Sequence, residues 1–558
     1  MKNRTRKHYS LISFCLAMML LVGCAAGSAA AQGLMNADSG KIEGTATTEQ
    51  VDRMVVALST TTVNVSPFAP STPSVVMKIE LYATLMQRPY YGAPLEELVP
   101  MIAKSCTSED GITYEIELFD NIVDSKGNPI KADDVIFSYE NSISLAQFRN
   151  AASDMEPLQK VDDTHLIMKL TNTTPGVIEN LLTNQQLYIV SKDWYENASD
   201  EEKNSNPATT AGYYVKSFSP GSGAVLAAVE DYWQKDEQYL PNTVTRNVKE
   251  IEFRAMTEPS MRVVALENKE VDNAGINASD LGIFYDSEAA MPLPGWNVAI
   301  VDSYYTYSMY CNMDSGKSVL ADNADLRKAV FYALDSEEIM LASGNTYSTA
   351  QALKGFGVNT YGGYLSKWDE EEYYEYNPDK AAEHLAAAGY KKGEVTLTIL
   401  ASSALYNDST MAVIISELNE VGINVKPLSC DQALFSTYKD DSSQWDLMLD
   451  LKGCTTGHIA SMWNLCFNPA SYSNGSVCFT HDDELTNRLN NVLTVTDDAS
   501  IDAFHQYLKD NAICMGLYTT KMIFVSQDGI LEHAWYNGSQ IVSGACIFSE
   551  NYKSAENY

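Results

Sequence analysis

Between Asn377 and Leu449 the chain switches repeatedly between helical and strand periodicity, and that alternation restricts it to an α/β fold. Asn377 is a suitable N-cap, Pro378 fits the first helical position, Ala and Leu fill the helix, and Gly389 ends it. Val395, Leu397 and Ile399 then alternate as a strand, Met411 to Val421 reads as a helix, and Ile423-Asn424-Val425 as another strand. Trp445 to Leu449 supplies one more strand, and the polar, aromatic stretch GCTTGHIASMWNLC (453–466) follows it directly. A loop leaving a strand is where α/β domains place ligand groups.

A second patterned region spans 108–140. Asp110-Gly111 makes a turn, and Ile112, Tyr114, Ile116 and Leu118 form the apolar parity of a half-buried strand. Lys126-Gly127-Asn128-Pro129 turns again, and Asp133 and Asp134 introduce a helix whose N-terminus favours acids. Met54 to Leu58 is a short apolar strand, Gly221-Ser222-Gly223 a hairpin turn, and DEEEYYEY (369–376) reads as a solvated face.

The start of the chain gives an address. Lys2, Arg4, Arg6 and Lys7 precede an apolar run from Tyr9 to Val22, shorter than the roughly 20 residues of a membrane span. Leu21-Val22-Gly23-Cys24-Ala25 resembles the bacterial lipobox. Residues 1–23 then form a signal peptide, Cys24 is the lipidation site, and 24–48 is a flexible Ala/Gly/Ser/Thr-rich tether. The expected location is the outer face of the cytoplasmic membrane, with contact through the N-terminal lipid alone.

With 38 basic and 73 acidic residues the net charge is −35, which opposes nucleic-acid partners and favours a soluble body. The eight cysteines beyond the lipobox lie at 106, 311, 430, 454, 466, 478, 514 and 546, without zinc spacing, so neither a metal site nor a cofactor is expected. Cys311 and Cys514 sit in apolar surroundings and read as small buried hydrophobes. His481-Asp482-Asp483-Glu484 is better explained as a helix start than as a metal cluster. There is no HExxH, GxSxG elbow, Walker loop or GxGxxG after a strand, and no catalytic residue is assigned.

Several segments in a fixed order carry a resemblance. Val99-Pro100 with Ile102-Ala103-Lys104-Ser105, Asp110 to Glu140, Thr210 to Tyr214 with Asp231-Tyr232-Trp233, Glu270-Val271-Asp272, Ala324 to Ala329, and Tyr376 to Tyr390 are together similar to the signature of extracellular solute-binding proteins of family 5. This family includes the oligopeptide-, dipeptide- and nickel-binding components of ABC importers. The resemblance implies an α/β fold of two periplasmic-binding-protein-like lobes around a cleft, with an extra α+β domain inserted in the first lobe. The expected division is 49–72, 190–303 and 521–558 for the first lobe, 73–189 for the insert and 304–520 for the second lobe. It implies a monomer that takes a peptide or peptide-like solute and delivers it to permease subunits, without catalysis. A surface peptide sensor or chaperone on the same fold is the rival class, and a secreted hydrolase a second.

By position in the family pattern, Thr61, Thr62, Asn64, Gly275, Asn277, Tyr305 and Tyr307 are expected to face the cleft, with Gly453, Cys454, Thr455, Thr456, His458 and Trp463 of the loop. In similar peptide binders this loop carries an aspartate that would pair with a free α-amine, and Thr456 stands in its place. A neutral hydroxyl cannot make that charge-assisted bond, so either Asp450 or another lobe supplies the charge, or the ligand has no such amine. The hydroxyls, imidazole and indole also suit a sugar-like solute. His458 is compatible with a nickel chelate, and His458 and Trp463 are equally compatible with plain packing.

Overall fold

A computed structural model describes residues 40–68, 75–145, 154–240, 244–371, 373–468, 479 and 482–555. The signal segment, Cys24, Cys478 and His481 lie outside these, as does most of the tether. The C-terminal α/β succession forms as its periodicity requires. Asn377 accepts from the Lys380 N–H at 2.9 Å and caps helix Pro378–Ala387, and Gly389 follows with φ 93°. Strand Val395–Ser402 pairs in parallel with Ile423–Cys430 and with Leu447–Lys452, across helix Asp408–Val421.

The first lobe has its own sheet. Strand Val51–Leu58 lies parallel to Val248–Ala255 and Asn273–Ile276, and Gly223–Ala228 and Tyr213–Ser219 extend it antiparallel through the hairpin at Gly221. Strand Cys514–Gln527 joins the two lobes. Its second half pairs with Asn273–Ile276 and Trp296–Asp302, and its first half with Thr306–Cys311 and Ala350–Ala352. Fourteen residues of strand reach about 45 Å, enough to serve both sheets.

The chain crosses between lobes a second time at 303–305, and the two crossings are tied together. The Thr519 hydroxyl donates to the Tyr305 carbonyl at 2.8 Å, and Lys521 lies 3.4 Å from Asp302.

A separate antiparallel sheet of Ala103–Thr107, Thr113–Leu118, His165–Lys169 and Gln159–Lys160 has its own apolar core with helix Ala132–Ser144. The early acids of that helix act as more than dipole partners. Asp134 accepts from the N–H of Lys131 and, with its other oxygen, from that of Lys192, both at 2.7 Å. The architecture is therefore a mixed α/β fold of two lobes with an added α+β domain. The stretch 369–376 departs from expectation at two positions: Tyr373 and Tyr374 are buried, and their hydroxyls donate to the carbonyls of His505 and Lys509, while Asp369, Glu370, Glu371, Glu375 and Tyr376 are exposed.

Candidate functional site

The loop after strand Leu447–Lys452 meets the opposite side of the molecule. The Arg88 guanidinium donates to the carbonyls of Thr455 at 3.1 Å and Thr456 at 2.8 Å. Ser461 donates to the Pro175 carbonyl at 2.6 Å. Gly176, with φ 84°, packs so close that a Cβ there would lie 2.6 Å from the Thr456 oxygen. On its own lobe the loop is fixed by the Tyr361 hydroxyl, which accepts from the Cys454 N–H at 2.9 Å, and by Gly362, whose N–H donates to the Gly457 carbonyl at 2.8 Å.

Beside this contact is a cavity of about 200 Å³. Its wall is rich in amides: Asn180, Asn184, Gln185, Gln186, Asn537 and Gln540. Asn180 lies in helix Val177–Thr183, the next three follow it, and the last two belong to the hairpin joining Trp535–Tyr536 to Gln540–Ile541. Asn537 and Gly538 both have positive φ, the backbone of a tight Asn-Gly hairpin turn. The Tyr536 hydroxyl donates to the Thr183 carbonyl at 3.1 Å and holds hairpin and helix together. Thr455 enters from the second lobe, and Tyr304, at the lobe crossing, stacks on Tyr91 with ring centres 4.4 Å apart.

Among the described residues lining the cavity Arg88 is the sole charged group. It is 2% exposed and, despite burial that lowers its pKa, a guanidinium stays protonated. Amides offer both donors and acceptors, so the wall suits a polar solute with mixed hydrogen-bonding groups.

The structure distributes the expected site residues unevenly. Thr455 reaches the cavity, and Thr456 contributes its backbone to the Arg88 contact while its hydroxyl lies 3.0 Å from Cys454 Sγ. Gly453 packs under an aromatic ring: a Cβ would sit 2.7 Å from Tyr305 Cδ1. Cys454 carries a thiol outside any disulfide, as do the other described cysteines, and Cys311 and Cys514 are buried. Trp463 is not a cleft residue. It is 0% exposed, packed among Trp368, Phe504 and His505, because helix Ile459–Phe467 turns its apolar face into the second-lobe core.

His458 is the N-cap of that helix, its Nδ1 accepting from the Ala460 N–H at 3.2 Å, and burial lowers its pKa to about 4. It serves the backbone rather than the cavity. Asp450 does not supply a free charge either, because Lys452 lies 2.8 Å from it.

The remaining expected residues lie elsewhere. Thr61 is exposed and Thr62 buried, and Asn64 lines a separate hollow with Tyr195, Lys203 and Asn204. Gly275 presents its carbonyl to Arg262 Nε at 2.7 Å, and Asn277 is exposed before a short 3-10 helix. Tyr307 stacks on Tyr518, and Tyr305 touches the Tyr304 hydroxyl at 3.1 Å, but it is Tyr304 that lines the cavity. Strand alternation could not select it, since the strand begins only at Thr306. Arg88, the amides of 180–186 and the 537–540 turn were also missed; the Asn-Gly pair was the one local signal available.

Two lobes sharing a crossing strand, with a polar cavity between them, are the architecture of a solute-binding class of protein. The model of the bacterial extracellular solute-binding proteins, family 5 Middle, matches residues 97–473, and the chain belongs to that family. Oligopeptide-binding protein OppA of Bacillus subtilis (strain 168) is 23% identical over 384 residues, covering 63% of this chain and 64% of its own. The match therefore spans just under two thirds of that relative. The dipeptide-binding protein of Escherichia coli (strain K12) is 23% identical over 413 residues, 68% of this chain and 72% of its own. The crystal structure of the ABC transporter substrate binding protein CtaP from Listeria monocytogenes superposes with a TM-score of 0.72 at 17% identity, covering 90% of this chain and all of that one, a likeness of fold.

Proposed function

We propose that this protein captures peptides or peptide-like solutes between its lobes and delivers them to the permease subunits of an ABC importer. The observation that carries this is the amide-lined cavity enclosed by Arg88 on one side and Thr455 on the other. A ligand that bridges both sides binds the closed form better than the open one, and that difference drives closure. The names of the two peptide-binding relatives support the cargo class. In this reading the protein is a monomer with no catalytic step. Residues 73–189 form the inserted domain, 304–520 the second lobe, and 24–48 the tether from an acylated Cys24 to the body on the outer face of the cytoplasmic membrane.

Native mass spectrometry of protein purified without refolding tests the cargo. Recovery of peptides or acylated amino acids supports the reading, and recovery of only sugars or a metal complex overturns it.

A further inference from the structure

Three polar atoms that the fold leaves buried and without a partner belong to residues lining the same cavity: Arg88 Nε, the Tyr91 hydroxyl and Asn537 Oδ1. An unmade hydrogen bond at a buried group is costly, so three such groups on residues around one cavity point to a ligand that completes them on binding. Two of the three can donate and the third accepts.

The charge balance is one-sided. No described carboxylate forms an ion pair with Arg88, and its other two bonded nitrogens face backbone carbonyls. Glu179 is close enough for its charge to act on Arg88 without an ion pair joining the two, and burial raises its pKa above the ordinary carboxylate value. Among the described residues the wall carries no acid to receive an ammonium group. A buried cation with no carboxylate in direct contact is an arrangement that an anionic ligand improves.

Resting on the solute-binding reading above, we infer that the cavity selects small peptide-like carboxylates that lack a free amine, with the acid group on Arg88 and Tyr91 and a ligand N–H donated to Asn537. The missing acid at Thr456 and the Asp450–Lys452 pair agree with this: the two positions that could have met an ammonium offer it nothing. N-acylated amino acids and N-blocked dipeptides have the required chemistry, an acid and an amide N–H within a few bonds. A volume of about 200 Å³ has room for a ligand of that size.

The test uses three probes on the purified full-length protein by isothermal titration calorimetry: N-acetyl-Ala-Ala, its C-terminal amide, and Ala-Ala-amide. The acid is expected to bind on the order of tenfold to a hundredfold more tightly than either amide. Asn537→Asp keeps the side-chain shape at a position with φ 51° and adds an acid to the wall. It should weaken the acid by a similar factor and strengthen Ala-Ala-amide. Tyr91→Phe, which keeps the ring stack, should weaken the acid alone, and Arg88→Met should abolish the preference, with folding checked by circular dichroism.

Equal binding of acid and amide, preference for the cationic probe, or no saturable binding of the acid at millimolar concentration overturns the inference. A free-amine peptide co-purifying with the protein would overturn it while leaving the solute-binding reading intact. Absence of any co-purified solute together with failure of all three probes would instead remove that reading.

Discussion

The Arg88 guanidinium donates to the Thr456 carbonyl at 2.8 Å, joining positions separated by 368 residues. This bond spans the cleft, so its strength contributes to the balance between open and closed forms. Hydrogen bonds from a charged donor contribute about 1.5–3 kcal/mol, and each 1.4 kcal/mol is about tenfold in a population. Arg88→Met is expected to shift the ligand-free protein toward the open form. Small-angle scattering should show a larger radius of gyration, and an unchanged radius would count against the clasp.

Gly176→Ala should act at the same contact by a different route. The added Cβ meets the Thr456 oxygen at 2.6 Å and sits on a backbone with φ 84°, so it both strains the helix start and pushes the lobes apart. Ligand affinity should fall by about tenfold or more, while far-ultraviolet circular dichroism stays near that of the parent.

Trp463→Ala removes a wholly buried indole from the second-lobe core and should destabilise the protein by about 3–5 kcal/mol in urea titrations. His458→Ala removes a cap and should cost about 1 kcal/mol, with Asn restoring most of it. A loss of affinity in His458→Asn without loss of stability would show a ligand contact instead.

Stability should depend on pH in two opposed ways. Burial raises the pKa of Asp272 to about 7 and those of Glu80 and Glu417 to about 8, so stability is greatest while these groups are protonated in both states and falls as pH rises toward 8. Burial lowers His458 and His533 to about 4 and His505 to about 3. Their contribution is complete above an unfolded pKa near 6.5 and is lost as pH falls toward 3–4. The two trends oppose between about pH 4.5 and 6.5, and the carboxylate trend governs from there to about pH 8, where Lys78, lowered to about 8 by burial, begins to act. The melting temperature should therefore decline from about pH 6.5 to 8, and Glu417→Gln should make that decline shallower.

Cys24→Ser should move the protein from the membrane fraction to the soluble fraction of the producing cell, as followed by immunoblot. Unchanged fractionation would remove the lipid anchor from the proposed function.

Much of the local structure was legible because it depends on neighbours in the chain. Asn377, Pro378 and Gly389 delimit their helix through backbone geometry, and the alternation of Val395, Leu397 and Ile399 selects one face of a strand. Asp482 likewise caps helix Asp483–Thr494, as an acid at a helix start does. The apolar run Trp445 to Leu449 placed the polar loop after its strand for the same reason. Side-chain direction was less legible: Trp463 and His458 look like ligand groups in a list of residues, yet one helix sends the first into the core and starts on the second.

The cavity itself was decided by tertiary structure alone. Arg88, Asn180, Tyr304, Thr455 and Asn537 come from five distant stretches, and no periodicity relates them. Their meeting depends on the two crossings at 303–305 and 519–520, which set one lobe against the other. Sequence determined the elements, the family and the absence of an acid at Thr456. Only lobe packing left Arg88 buried with its guanidinium bonded to backbone carbonyls and to no carboxylate, because burial and charge balance are properties of the assembled cleft and not of any segment that builds it.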